Sequence, residues 1–258
     1  MMRFSTVLVT LFAVASLGIA CSDDPAVPGG PAPDPLDQTP RNDSEAEAIA
    51  LGFSGELVAP QDLYEEVHQG LARVRLWHSN AIPELEQIHY RPCWTPGELY
   101  GTLTEEATDE YQAGTFTEWN ALNTELRVQQ IETRTYSFDP EQIRFHLYFE
   151  GRLHPERLAE MYEALASVEE ASNGVICFDG SALYPRIIDG GISYLFRRGY
   201  GDCVAGCAYS EFWYFKVFDG ISVEYVGHWD PQTEPEPAWW DEARTAWCAS
   251  GNGGLGCN

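Results

Sequence analysis

Lysine is almost absent from this chain. Lys216 is the single one among 258 residues, and 15 basic residues face 40 acidic ones for a formal net charge of −25. A chain this poor in positive charge has no basic stripe with which to displace counterions from phosphates, which excludes nucleic acid as a partner. It is also repelled by an anionic lipid surface, whereas cations or a basic protein suit it. The signatures of common catalytic frameworks are missing as well. There is no His-Glu-x-x-His, no Gly-x-Ser-x-Gly and no phosphate-binding loop, and Gly52-Phe53-Ser54-Gly55 lacks the spacing of a nucleophile elbow. The histidines are few and scattered: His78 and His89 fall on different expected elements, and His146 and His154 bracket a strand end. That is the pattern of surface or half-buried polar residues. Carboxylates are so abundant that no glycosidase-like pair stands out. No catalytic residue, metal ligand or cofactor is assigned, and the chain reads as non-enzymatic.

Long apolar runs are scarce too, with one exception. Arg3 precedes an apolar and small-residue run over 4–20 that ends at Cys21. A positive start, an apolar middle and a small-residue exit make residues 1–20 a bacterial export signal. The run is too short, and too soon followed by Asp23 and Pro25, to stay as a membrane span. Cys21 reads as the acylated first residue of a lipoprotein, so the expected address is the cell envelope, on the periplasmic or outer side of a membrane. Gly18-Ile19-Ala20 also fits the ordinary signal peptidase, which would leave Cys21 as a free thiol. The cysteine count favours lipidation: the others, Cys93, Cys177, Cys203, Cys207, Cys248 and Cys257, are an even set that can pair fully.

Residues 21–48 are rich in Pro, Gly, Asp and Ala with little to bury, and their acidic side chains repel one another. They form an extended tether. Residues 49–178 read as an α/β domain with an N-terminal helix. In that helix, over 61–77, Leu63, Val67, Leu71 and Val74 share a face. A strand over 96–103, helices over 105–112 and 118–122, and strands over 126–138 and 143–150 follow. Ile143, Phe145, Leu147 and Phe149 alternate with Arg144, His146, Tyr148 and Glu150. A helix opening at Pro155 buries Leu158, Met161, Tyr162 and Leu165, and a strand covers 168–178. The order strand, helix, strand, strand, helix, strand predicts a ferredoxin-like split βαβ domain.

Residues 179–230 hold three aromatic strands over 192–198, 211–218 and 221–228. The last two are joined by Asp219-Gly220, a two-residue hairpin signal whose positions need positive φ. The predicted class is α+β, with the sheet of the first domain extended by this antiparallel meander. A Cys203–Cys207 bridge pins the meander, because three residues between the cysteines is neither a redox nor a zinc spacing in this context. Cys248 and Cys257 flank a Gly-rich loop and are expected to pair, which leaves Cys93 for Cys177. Residues 231–258 read as a Pro-, Trp- and Gly-rich tail folded against the meander, so that its tryptophans favour core packing, with Trp239, Trp240 and Trp247 as alternative candidates for a ligand surface. Asp179-Gly180-Ser181 and Asp189-Gly190-Gly191 read as turns, with calcium as the only ion either would suit.

Two resemblances bear on function. The run Gly201-Asp202-Cys203-x-x-Gly206-Cys207, followed by Trp213-Tyr214-Phe215-x-Val217, resembles a motif of uncharacterised secreted proteins and lipoproteins of bacteria. Pro96-Gly97-Glu98-Leu99, the helix from Pro155 and Val168-Glu169-Glu170-Ala171 are similar to subtilisin-type propeptide (inhibitor) domains. That second resemblance implies a free-standing inhibitor or partner of an exported protease, binding through its exposed sheet face and the chain after its last strand. The leading expectation is an interaction module for an envelope protein. Glycan binding or processing at the tryptophans is a further alternative.

Overall fold

The structure is a computed structural model that describes residues 41–78, 81–136, 139–174, 180–203 and 207–249. The expected export signal, Cys21 and most of the expected tether lie outside the described residues, as do Cys177, Asp179 and Cys257.

The expected tether ends earlier than its composition implied. Helix α1 spans Ser44–Ser54, capped by Asp43, whose Oδ1 accepts from the amides of Glu45 and Ala46 at 3.0 Å each. Glu45 and Glu47 sit in its first turn, where carboxylates suit the positive end of the helix dipole. Their charges do not repel the chain into an extended form, because each finds arginine. Glu45 receives both terminal nitrogens of Arg75, at 2.7 and 3.0 Å, and the Tyr90 amide at 2.6 Å. Helix α2, Gln61–His78, buries Val67, Leu71 and Val74 as its spacing predicted.

The first sheet follows. It comprises β1 (Glu98–Leu103), β2 (Val128–Tyr136), β3 (Asp139–Phe149) and β4 (Val168–Ser172), in the order β2-β3-β1-β4, with every neighbouring pair antiparallel. Helices α3 (Glu105–Ala113) and α4 (Asn120–Glu125) link β1 to β2, and α5 (Pro155–Glu163) links β3 to β4. Thr104 caps α3 as its side chain chemistry predicts, accepting from the Ala107 amide. Leu99, Phe145 and Leu147 of the strands bury against Ala107, Leu158 and Tyr162, so these helices share one face of the sheet.

The meander does not extend that sheet. It forms a second one, β5 (Ala182–Ile188), β6 (Gly191–Tyr200), β7 (Tyr209–Phe218) and β8 (Ser222–Trp229), in simple sequential order. The reason is burial on both sides. Tyr194, Phe196 and Phe215 pack into a core with α1 and α2, while Leu195, Phe212 and Tyr214 pack against a third layer. That layer is α6, Trp240–Ala249, a helix where only a tail folded against the meander was expected. The N-terminal helix α2 thus belongs to the second sheet, not to the domain read over 49–178. Strand β5 was read only as the chain between two turns. Pro185 lies inside it and is tolerated because β5 is an edge strand. The Asp219-Gly220 turn has the positive φ expected, 52° and 63°, but the connection is three residues long, because Phe218 pairs with Ser222 and Ile221 joins the turn.

Several contacts among the described residues join the two sheets through the N-terminal helices, with Arg152 Nη2 donating to Ser44 O at 3.1 Å and Arg157 Nε to Gly55 O at 2.6 Å. The Leu183 amide donates to His89 O at 3.0 Å, and the His154 amide to Leu57 O at 2.9 Å. Between them Glu47, only 2 % exposed, lies 3.3 Å from Arg41 Nη1 and 3.0 Å from Arg152 Nε, the latter an ion contact too bent for a hydrogen bond. Burial pushes the Glu47 carboxyl above its usual range, against the pull of Arg152 and Arg41. Removing it takes the carboxylate away from Arg41, whose side chain is 5 % exposed, and from Arg152, at 38 %. Glu47→Ala should cost about 3 kcal/mol in urea unfolding, the low end for breaking a buried ion pair, and a loss comparable to that of an ordinary surface substitution would refute this joint.

Asp43 gives a pH-resolved expectation. Burial alone would raise its carboxyl, but hydrogen bonds from the Ala46 amide and His68 outweigh it and hold the group below its ordinary value. A depressed pKa contributes stability above the ordinary carboxylate range and loses it as pH falls through the folded value. Asp43→Ala should therefore cost about 1 kcal/mol at neutral pH. The gap from the parent protein should close in acid, as a series of melts from pH 7 downward would record.

Candidate functional site

Three of the four sheet faces are covered by helices among the described residues. The fourth, the face of the first sheet opposite α3 and α5, is bare. Strand register decides what stands on it. Side chains alternate across a strand, so the neighbours of Leu99, Phe145 and Leu147 point to the open side. Reading across the partners gives three rows. Gln130, Tyr148 and Glu98 form the first; Glu132, His146, Tyr100 and Ser172 the second; Arg134, Arg144, Thr102 and Glu170 the third.

His146 is the centre of this grid. Its Nε2 donates to Glu98 Oε2 at 2.9 Å, and the Tyr100 hydroxyl reaches the same oxygen at 3.4 Å. The imidazole is clasped between rings, stacked on Tyr100 at 3.8 Å and 21° and close to Tyr148 at 3.9 Å and 38°. The far side of the Tyr100 ring lies against the chain at Gly174, where any Cβ would collide with it. Tyr148 has a ring neighbour on one side only among the described residues. Burial, then the charge of Glu98, raises the Tyr100 phenol, and burial with Glu132 and Glu98 raises that of Tyr148. Both phenols are therefore neutral hydrogen-bond donors at physiological pH.

Below the aromatic group the face sinks into a recess of about 550 Å³. Its walls carry both signs of charge: Glu132, Glu169 and Glu170 against Arg134 and Arg144. Two of the carboxylates are already engaged, Glu169 by Gln142 Nε2 at 2.6 Å and Glu132 by Arg134 Nη2 at 3.4 Å. The arrangement offers neutral donors, matched charges and aromatic edges, which is binding chemistry.

No protein-family model, no characterised protein and no solved structure matches the chain. Its chemistry is read from its own residues.

The residues singled out in the sequence fall elsewhere. Trp240 and Trp247, 1 % and 3 % exposed, are core between α6 and the second sheet and cannot present a face to a ligand. Trp239 is half-buried, stacked on Tyr214 at 5.6 Å and pressed against Gly227. Cys203 and Cys207 form a disulfide at the β6–β7 connection, beside Gly199. Cys93 and Cys248 are disulfide-bonded as well. Asp189 closes the β5–β6 hairpin, and His89 pairs with Glu45 at 3.1 Å. His154 caps α5, Nδ1 accepting from the Glu156 amide, and burial lowers its pKa so that it serves as a neutral acceptor. A second recess, of about 520 Å³, lies beside Cys203, where Arg198 is tied to Glu84 and Glu211 at 3.5 and 3.3 Å. Sequence reasoning had placed His146 and Tyr148 on the polar side of a strand. What it missed was their partners Tyr100, Glu98 and Glu132, which only sheet register brings alongside.

Removing the central ring tests the clasp. His146→Ala should leave the fold intact by circular dichroism and cost about 1 kcal/mol, within the usual worth of an aromatic pair. Near-ultraviolet tyrosine dichroism should weaken with it. An unchanged near-ultraviolet spectrum would mean the three rings are not held together in solution.

Proposed function

We propose that this chain is an exported, lipid-anchored binding module of the bacterial cell envelope. The signal of residues 1–20 exports it, Cys21 carries the lipid, and the acidic segment after it holds the folded part clear of the bilayer. The observation that carries the reading is the single bare sheet face. Burying one side of each sheet is what a fold requires, and leaving one side polar, aromatic and uncovered is what a ligand requires. The module is read as a ferredoxin-like split βαβ unit. Its strand order β2-β3-β1-β4 and its helical crossovers on one side support that reading.

The same face also favours a second reading, an inhibitor or partner of an exported subtilisin-type protease. In the propeptide domains that the chain resembles, binding runs through the exposed sheet face, here the surface around His146. Residues 175–179, directly after Gly174, which would enter such a protease, lie outside the described residues.

One experiment addresses the face and another separates the readings. A photo-crosslinking amino acid placed at Gln130 should give a discrete adduct in cells, and the same group at Leu76, 73 % exposed on α2, should give none. Adducts from both sites alike, or from neither, would reject the open face as the binding surface. Incubation with subtilisin-like proteases at micromolar concentration then decides the second reading, which fails if all keep full activity.

A further inference from the structure

We propose that the recess on the open face takes a neutral saccharide of one or two rings. The inference rests on the reading of that face as the binding surface and adds the class of ligand. The recess, about 550 Å³, falls in the roughly 300–1,000 Å³ range of small-molecule sites. Its walls decide the charge of the occupant. A free anion would meet Glu132, Glu169 and Glu170, and a free cation would meet Arg134 and Arg144, so either loses part of what it gains. A neutral polyol loses nothing. Vicinal hydroxyls both donate and accept, and carboxylates, guanidinium groups and the Gln142 amide can each engage two of them at once.

The aromatic group supplies the other half of saccharide chemistry. One edge of a pyranose is made of C–H bonds and packs against aromatic rings. Tyr100 is covered on both sides, by His146 and by the chain at Gly174, whereas Tyr148 has one side without a ring neighbour among the described residues. Tyr148 is therefore the stacking ring, its hydroxyl hydrogen-bonded to the Glu132 carboxylate. His146, held by Glu98 at 2.9 Å, is a positioning residue that keeps Tyr148 upright. This moves glycan recognition away from the C-terminal tryptophans, which are spent in the core, to a surface on the other sheet.

The test is a titration of the isotopically labelled protein, followed by amide NMR, with maltose, cellobiose and N,N′-diacetylchitobiose. Glucuronic acid and glucosamine serve as charged comparators. At least one neutral disaccharide should shift amides confined to the first sheet, β1 to β4, more strongly than either comparator. Arg144→Ala and Tyr148→Ala, both on an exposed face where folding is undisturbed, should each weaken that binding tenfold or more, about 1.4 kcal/mol. Glu98→Gln should weaken it less. No shift with any of the three disaccharides, a stronger response to a charged sugar, or shifts centred on α6 would overturn the proposal. If the sugars fail while Gln130 still crosslinks, the ligand class is wrong and the binding face stands.

Discussion

The two carboxylates in the first turn of α1 hold the molecule together. Glu45 binds Arg75 and the Tyr90 amide, and so ties the first helix to the second and to the segment that leads into the first sheet. Glu47 sits nearly dry between Arg41 and Arg152, the second of which belongs to the loop between β3 and α5. Charges taken out of water are expensive unless they are paired, so their geometry is dictated by their partners. The helix is consequently more than a lid on the second sheet. It is the piece through which both sheets are positioned relative to one backbone, and Asp43, capping it and paired with His68 at 3.0 Å, fixes where it begins.

This dependence explains what could and could not be read from the chain. Strand β3 was legible because its apolar residues alternate, and the β7–β8 hairpin because Asp-Gly tolerates the positive φ that such a turn needs. Helix α1 was not. Ser-Glu-Ala-Glu-Ala continues the acidic composition before it, and the arginine that neutralises Glu45 lies 30 residues on. Helix α6 was hidden by the Pro- and Gly-rich sequence around it. The spacing of Trp240, Ala243 and Trp247 on one helical face was nonetheless present and is the signal that could have found it. The mistaken sheet extension came from reading aromatic density in β6 and β7 without asking how many sides it implied. Their near-continuous burial is the mark of a sheet covered twice.

The open face was legible in halves. Arg144, His146 and Tyr148 stand out as the polar side of β3, but a lone strand side is only a solvated surface. It becomes a site when Tyr100 and Glu98 arrive from β1 and Glu132 from β2, and that juxtaposition is a matter of register between strands far apart in sequence. The proposed binding surface is thus assembled by topology, while the expected export signal is a local pattern. The two kinds of information differ for a physical reason: an address is read from an unfolded chain, and a binding surface exists only after folding.

The docking of α1 has a mechanical consequence. Arg41 is the first described residue and is already anchored, donating to Ala59 O at 2.7 Å and to Glu47 at 3.3 Å. Tension arriving from the N-terminal side therefore enters the fold through a cluster of ion pairs aligned along the helix, before any strand is loaded. Cohesion of the fold and resistance to a pull from that side are in this molecule a property of the same few side chains.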